Sequence, residues 1–350
     1  MDKQIVKVTV SIASYNNAAY IDRCIDSVLN QTYQNLEILI VDDGSKDNTL
    51  EIISKYQKDN RVVIIEKENE GLSSVRQRAL DEATGDYMCF IDADDYLDPH
   101  YVECMLNKLI KDKSDICVCS TKFIDSSGKD LPGQTQSFKT AQGNEPFRTT
   151  ASEFAVVNNV RIRQLYLSDS WNKMYSVYFL RQSGVKFNMP KGLNGTDTSF
   201  NRRVALHAPL YSTVEDELYI HVIYASSAVH RKHKKLLHSY QLIAQNCLSE
   251  SRSLNTDKQA KDYISAIYQK NLFEVIIDEY KEAESKKECI NRLKALRQEH
   301  LSFSVGEYDI LSKINHQNDI MTRVGVTLLN HSIVLLYMLL RFGSRNNARK

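Results

Sequence analysis

Three aspartates crowd the end of one apolar run. In GDYMCFIDADDYLDPHYV, residues 85–102, the stretch Tyr87 to Ile91 reads as a strand, and Asp92, Asp94 and Asp95 follow it. Carboxylates this close raise one another's pKa, so the cluster needs either open water or a neutralising cation. The plainest arrangement is a solvated strand-to-helix loop with Asp98 as the cap of the next helix. A calcium loop counted from Asp92 needs Gly at its sixth position and meets Leu97 instead. Pro99 also intrudes there, although Glu103 does fall at the twelfth place.

The elements that hold this cluster alternate in type. IVKVTVSIA opens the chain as a strand rich in β-branched residues, and Tyr20, Ile21, Cys24, Ile25, Val28 and Leu29 then form one helical stripe. LEILIV, residues 36–41, is a second continuous apolar strand, and it too ends in acid: Asp42-Asp43-Gly44-Ser45. A helix from about Thr49 to Tyr56, a strand RVVII, a helix from about Leu72 to Ala83 and the strand at Tyr87 follow. The next helix is expected to start at Pro99, and DICVCSTKF adds another strand. Apolar strands separated by amphipathic helices imply an α/β fold, a mostly parallel sheet with helices on both faces. Ligands of such sheets bind at the carboxyl ends of the strands, and both acidic clusters lie there.

Residues 126–150 are polar and read as a long connection or hairpin of the kind that serves as a lid. ELYIHVIY, beyond Thr213, is expected to be one more strand, and after HRKHKK the chain reads as helical almost to its end. The expected boundaries are therefore 1–230, with halves of about 1–125 and 126–230, and a helical region 231–350.

Composition narrows the function. The chain has 350 residues, 42% hydrophobic and 25% charged, with a formal net charge of +1, which gives no reason to expect nucleic acid as a partner. Seven cysteines, an odd number set mostly in apolar runs, read as free buried thiols of a reducing compartment. Cys117-Val-Cys119 lacks the second cluster that zinc requires. MDKQIVKVTVSIASY runs straight into a strand with no secretory signal, so the cytoplasm is the expected location.

Two further uses of clustered aspartates remain. A phosphatase of the haloacid dehalogenase type also carries Asp-x-Asp after an apolar strand, but normally the first strand, and continues with Thr or Val rather than Asp95-Tyr96. In a nucleotide-sugar site one aspartate meets the ribose and another binds a divalent cation on the diphosphate. The sequence resembles the second kind, the family 2 glycosyltransferases with a GT-A fold, over most of its first 230 residues. VTVSIASYNNAAYIDRCIDSVLNQTYQNLEILIVDDGSKDNT is similar to that family's opening, and NEGLSSVRQRALDEATGDYMCFIDADDYLDPHYVE to its second half. DSWNKMYSVYFL and LNGTDTSFNRR resemble its acceptor-side segments.

The resemblance implies an inverting, metal-dependent transfer from a UDP-sugar to a saccharide, lipid-linked or polyol-phosphate acceptor in cell-surface polymer synthesis. It sets Ala13, Tyr15, Asp43 and Arg76 about the nucleotide, with Tyr15 stacking on uracil and Asp43 accepting its ring N–H. Asp92, Ala93, Asp94 and Asp95 form the diphosphate and metal end, with Asp94 and Asp92 holding Mn2+ or Mg2+ and His230 as an added ligand. Asp197 falls at the position of the general base, although Thr196 replaces the Glu common before it, and Gln77 stands where Asn is common. Trp171 and Lys173 fall on the acceptor side, where Trp171 either stacks on a sugar or belongs to the core.

VGVTLLNHSIVLLYMLL, residues 324–340, is slightly short for a bilayer span and is flanked by basic residues. The segment 323–342 is read as lying in the inner leaflet of the cell membrane, against a buried or a dimerising helix. Membrane contact and self-association are the other partners the sequence leaves open.

Overall fold

A run rich in β-branched residues with no charge disfavours helix and suits a strand covered on both faces. The first such run forms β1 (Val8–Ser14), flanked in parallel by β2 (Leu36–Asp42) and β4 (Tyr87–Asp92), with β3 (Val62–Glu66) beyond β2. The structure is a computed structural model that describes residues 6–131, 147–148, 168–207, 209–224, 236–256, 258–303 and 320–347. The chain divides into two compact units, 1–233 and 234–350.

In the first unit the register sets the geometry of everything that follows. Ser14 pairs with Asp42 and Ala13 with Asp92, so β1, β2 and β4 end level and both acidic clusters emerge at one edge. The remaining strands are β5 (Tyr96–Leu97), β6 (Ile116–Asp125), β7 (Phe147–Arg148), β8 (Lys173–Ser176) and β9 (Leu210–Ile223). The sheet order is β3-β2-β1-β4-β8-β6-β9-β5, with β7 also on β9. β8 runs antiparallel to both β4 and β6, so the parallel half continues into a mixed one.

Helices α1 (Ile21–Leu29), α2 (Thr49–Ser54), α3 (Leu72–Glu82), α4 (Tyr101–Asp112), α5 (Val177–Ser183) and α6 (Thr196–Leu206) connect the strands. Ile21, Cys24, Ile25 and Val28 of α1 join Val8, Val10 and Ile12 of β1 and Val102, Met105 and Leu109 of α4 in one core. The alternate positions of β1 are buried too, and Thr9 donates to Glu37 at 2.6 Å. None of the seven cysteines forms a disulfide, and all but Cys104 are buried.

Three expectations change. Pro99 precedes α4 rather than opening it. The Asp98 side chain accepts from His100 N and its carbonyl from Tyr101 N, which makes a turn there. The last strand begins at Leu210, well before Glu217, because β6 supplies a parallel partner from Ile116 onward. Of the long polar connection, residues 126–131 turn back so that Asp130 bridges Ile124, and β7 pairs with β9. The rest of that segment lies outside the described residues.

The second unit contains α7 (Leu236–Ser253), α8 (Lys258–Glu282), α9 (Lys286–Phe303), α10 (Ile320–His331) and α11 (Ile333–Asn347). Tyr263, Tyr268, Leu272, Phe273 and Ile276 bury α8 among the others. The apolar tail segment is two helices, because the chain breaks at Ser332, whose Oγ accepts from Leu335 N at the start of α11. No helix among the described residues is long and apolar enough to cross a membrane.

Candidate functional site

At the end of β2, Asp42 is fully buried and ties down its own loop, accepting from Ser45 N and Oγ. Asp43 is buried as well. Its Oδ1 accepts from Lys67 Nζ (2.8 Å) and Glu70 N (2.9 Å), and its Oδ2 from Gly71 N (2.7 Å). A carboxylate has about four acceptor positions, so Asp43 keeps one on Oδ2. Gly44 (φ 73°) and Gly71 (φ 93°) adopt the left-handed conformations that make this close loop packing possible. After β1, Tyr15 stands exposed, while the Asn16 backbone N–H is held by Ser45 Oγ. Ala13 is half-buried, and Ala93 is buried.

At the end of β4 the acidic cluster is braced from a distance. Asp95 is fully buried and accepts from Tyr219 Oη (2.7 Å) and Val222 N (2.8 Å), with His221 Nδ1 at 2.9 Å. Burial opposes charge on His221, but the hydrogen bond and charge of Asp95, with Asp92 and Asp94, outweigh it and lift its pKa to about 9. His221 is therefore a cation at neutral pH. The Tyr219 hydroxyl also accepts from Asp92 N at 3.3 Å. Arg23 donates to the Asp94 carbonyl and to Tyr224 Oη, both at 2.8 Å.

Asp94 is different. Burial, then the charges of Asp95 and Asp92, push its carboxyl up to about 7, and among the described residues no basic side chain forms an ion pair with it. Asp92, by contrast, is paired with Arg76 Nη2 at 2.8 Å.

Arg76 is the centre of the site. It lies in α3 and is 1% exposed, so it is not a solvated helix residue. Its Nη1 meets Asp197 Oδ1 in the first turn of α6, so one guanidinium joins the end of β4 to the start of α6. Ser73 and Thr196 connect the same two helices through their hydroxyls at 3.1 Å. Asp197 lines a cleft of about 420 Å3 together with Gly71, Ser73, Asp169, Lys191 and Asn194.

Two acceptor-side expectations are corrected. Trp171 is 7% exposed and its ring is covered: it stacks on His221 (centroids 5.3 Å apart, 13° between planes) and lies 4.6 Å from Tyr219. It belongs to the packing behind Asp95 and offers no open face to a sugar. Lys173 is fully buried, and its ammonium donates to the Asp169 carbonyl and to Asn172 Oδ1. Burial, only partly offset by Asp169, lowers its pKa to about 7. Lys173 is internal, not an exposed contact for a phosphate. His230 lies outside the described residues.

Sequence reasoning missed Arg23, Tyr219 and Tyr224, and it passed over His221 for His230. The signal was available, because alternation in ELYIHVIY puts Tyr219 and His221 on one face of a strand.

The donor set fits a hard divalent cation. Among the described residues no three His, Cys, Asp or Glu side chains are grouped to hold a metal. Asp92 and Asp94 supply two carboxylates at the end of β4, so a cation held there would take its remaining ligands from oxygens of a bound molecule and from water, as Mg2+ and Mn2+ accept.

Residues 9–170 match the family model described as Glycosyl transferase family 2. The putative glycosyltransferase EpsH of Bacillus subtilis is 34% identical over 235 residues, 66% of this chain and 65% of that protein. The chondroitin synthase of Pasteurella multocida is 47% identical over 119 residues, 34% of this chain and 12% of that protein. The chain thus spans just under two thirds of the first and a small part of the second. Among solved structures, that of S. aureus TarS 1-349 in complex with UDP-GlcNAc is similar with a TM-score of 0.72 at 21% identity. It covers 97% of this chain and 92% of that one, a likeness of fold.

Proposed function

We propose that this chain, whose residues 9–170 match glycosyl transferase family 2, is a member of that family and moves a sugar from a UDP-sugar onto a hydroxyl of a cell-surface glycan under construction. The acceptor is a saccharide, a lipid-linked saccharide or a polyol phosphate, and the anomeric configuration inverts. The UDP-GlcNAc held by TarS supports a UDP donor and makes N-acetylhexosamine the first sugar to test. Seven cysteines without a disulfide support a reducing compartment, the cytoplasmic side of the cell membrane.

The observation that carries this reading is the Arg76 bridge between Asp92 and Asp197, which joins the diphosphate end of the site to the base. In one displacement the acceptor oxygen forms a bond to the anomeric carbon. The bond from that carbon to the diphosphate oxygen breaks, its electron pair leaves with UDP, and Asp197 takes the acceptor proton. Arg76 pairs with Asp197 through Oδ1. Asp92 and Asp94 would hold Mn2+ or Mg2+, which supplies positive charge to the departing diphosphate. Tyr15 stacks on the uracil, and the last acceptor position of Asp43 receives its N–H. Ala13 and Ala93 border the nucleotide, and Asp95 keeps the acidic loop in place.

The test is UDP release and sugar transfer over a panel of UDP-sugars with Mn2+. Asp197→Asn is expected to lower transfer by about 10²–10⁴-fold while leaving UDP affinity nearly unchanged. Transfer at the wild-type rate would place the base elsewhere, and full activity in EDTA would remove the cation from the reading.

A further inference from the structure

The last two helices carry two apolar stripes, and only one of them is used inside the unit. Val326, Leu329, Ile333 and Leu336 are buried. Val334, Leu335 and Met338, exposed at 47%, 53% and 54%, form a second stripe on α11 that ends at the exposed Arg341. The spacing i, i+1, i+4, i+7 places these four side chains on one helix face. In α10, Ile320, Met321 and Val324 are exposed as well. Charge identifies the occupant. From Ile320 to the last residue the sequence has five basic residues, Arg323, Arg341, Arg345, Arg349 and Lys350, and no Asp or Glu. A second copy of this chain would bring the same positive segment against itself. An anionic lipid surface offers apolar depth for the stripe and opposite charge for its flanks.

We infer that the exposed stripe of α11, with the basic residues around it, docks this chain on an anionic membrane surface without crossing it. The inference rests on the second unit alone and does not depend on the reaction at the carboxyl edge of the sheet. The test uses the full chain in sedimentation with vesicles of phosphatidylcholine alone and of phosphatidylcholine with phosphatidylglycerol. Binding is expected only to the anionic vesicles and is expected to weaken with added salt. Arg341→Gln should weaken it about fivefold. Leu335→Gln with Met338→Gln should weaken it by about tenfold or more, because both side chains lose apolar burial. An unchanged thermal midpoint would show that the double variant is folded, and should it unfold, Arg341→Gln and the salt series still decide. Equal binding to neutral vesicles, or no binding to anionic ones, overturns the inference. So does a concentration-dependent dimer that the double variant abolishes, because the stripe would then be covered by a second copy.

Discussion

If Asp94 holds the proposed metal ion, a proton must compete for it. Its carboxyl titrates near pH 7 because burial and then Asp95 and Asp92 disfavour its charge. Its folded pKa stands above the ordinary value of 3.8, so its favourable contribution to stability is complete below about pH 4 and is lost as pH rises to about 7. A cation reverses this by stabilising the charged form. Below pH 7, Mn2+ affinity is therefore expected to fall about tenfold per pH unit, with close to one proton released per ion bound. Calorimetry in two buffers of different ionisation heat would count that proton at acidic and at alkaline pH. A release that is the same at both would show that Asp94 is not the ligand. Asp94→Asn should remove the proton release together with the metal dependence.

At the scale of elements, close approach decides more than propensity. A Cβ at Gly325 of α10 would fall 2.2 Å from a ring carbon of Phe273 in α8. Gly325→Ala is favoured by helix propensity by about 1 kcal/mol. Overpacking a filled core typically costs about 1–3 kcal/mol, so the variant is expected to be less stable. A chemical denaturation midpoint above that of the wild type would show that Phe273 can move aside. The same contrast between pattern and packing explains what could be read in advance. Apolar runs announced β1, β2 and β4, and acid at the ends of β2 and β4 announced the candidate site, because both are local properties of the chain. Trp171 and Lys173 could not be placed, because Trp171 is covered by Tyr219 and His221 of β9 and Lys173 lies on β8 between β4 and β6, partners that DSWNKM does not contain. The start of β9 was missed for the same reason, since its first residues pair with β6 rather than forming a pattern of their own. Arg76 was legible as a site residue but not as a bridge, because its two partners lie on β4 and α6.

At the scale of the whole chain, the tail changes meaning. Read as sequence, the segment from Met321 onward is dispensable for activity on a soluble acceptor, because no matched catalytic residue lies in it. The structure puts Val326, Leu329, Ile333 and Leu336 into the packing of the second unit. Deleting residues 321–350 is therefore expected to remove several buried side chains worth about 1.5–3 kcal/mol each, enough to loosen a marginal unit. Hydrogen exchange should then accelerate across α7, α8 and α9. Undiminished protection there would show that the last two helices only decorate the unit.

The brace on the acidic loop also has a timetable. Asp95 receives the Val222 amide 127 residues further along the chain, so the three aspartates leave the ribosome long before their partners exist. At about 5–20 residues per second, that interval is roughly 6–25 s. During it the loop must remain hydrated and uncommitted, and the nascent chain cannot yet brace that end of the sheet. Silent codon changes that slow translation between Asp95 and Val222 would lengthen that window without altering a single residue of the finished protein.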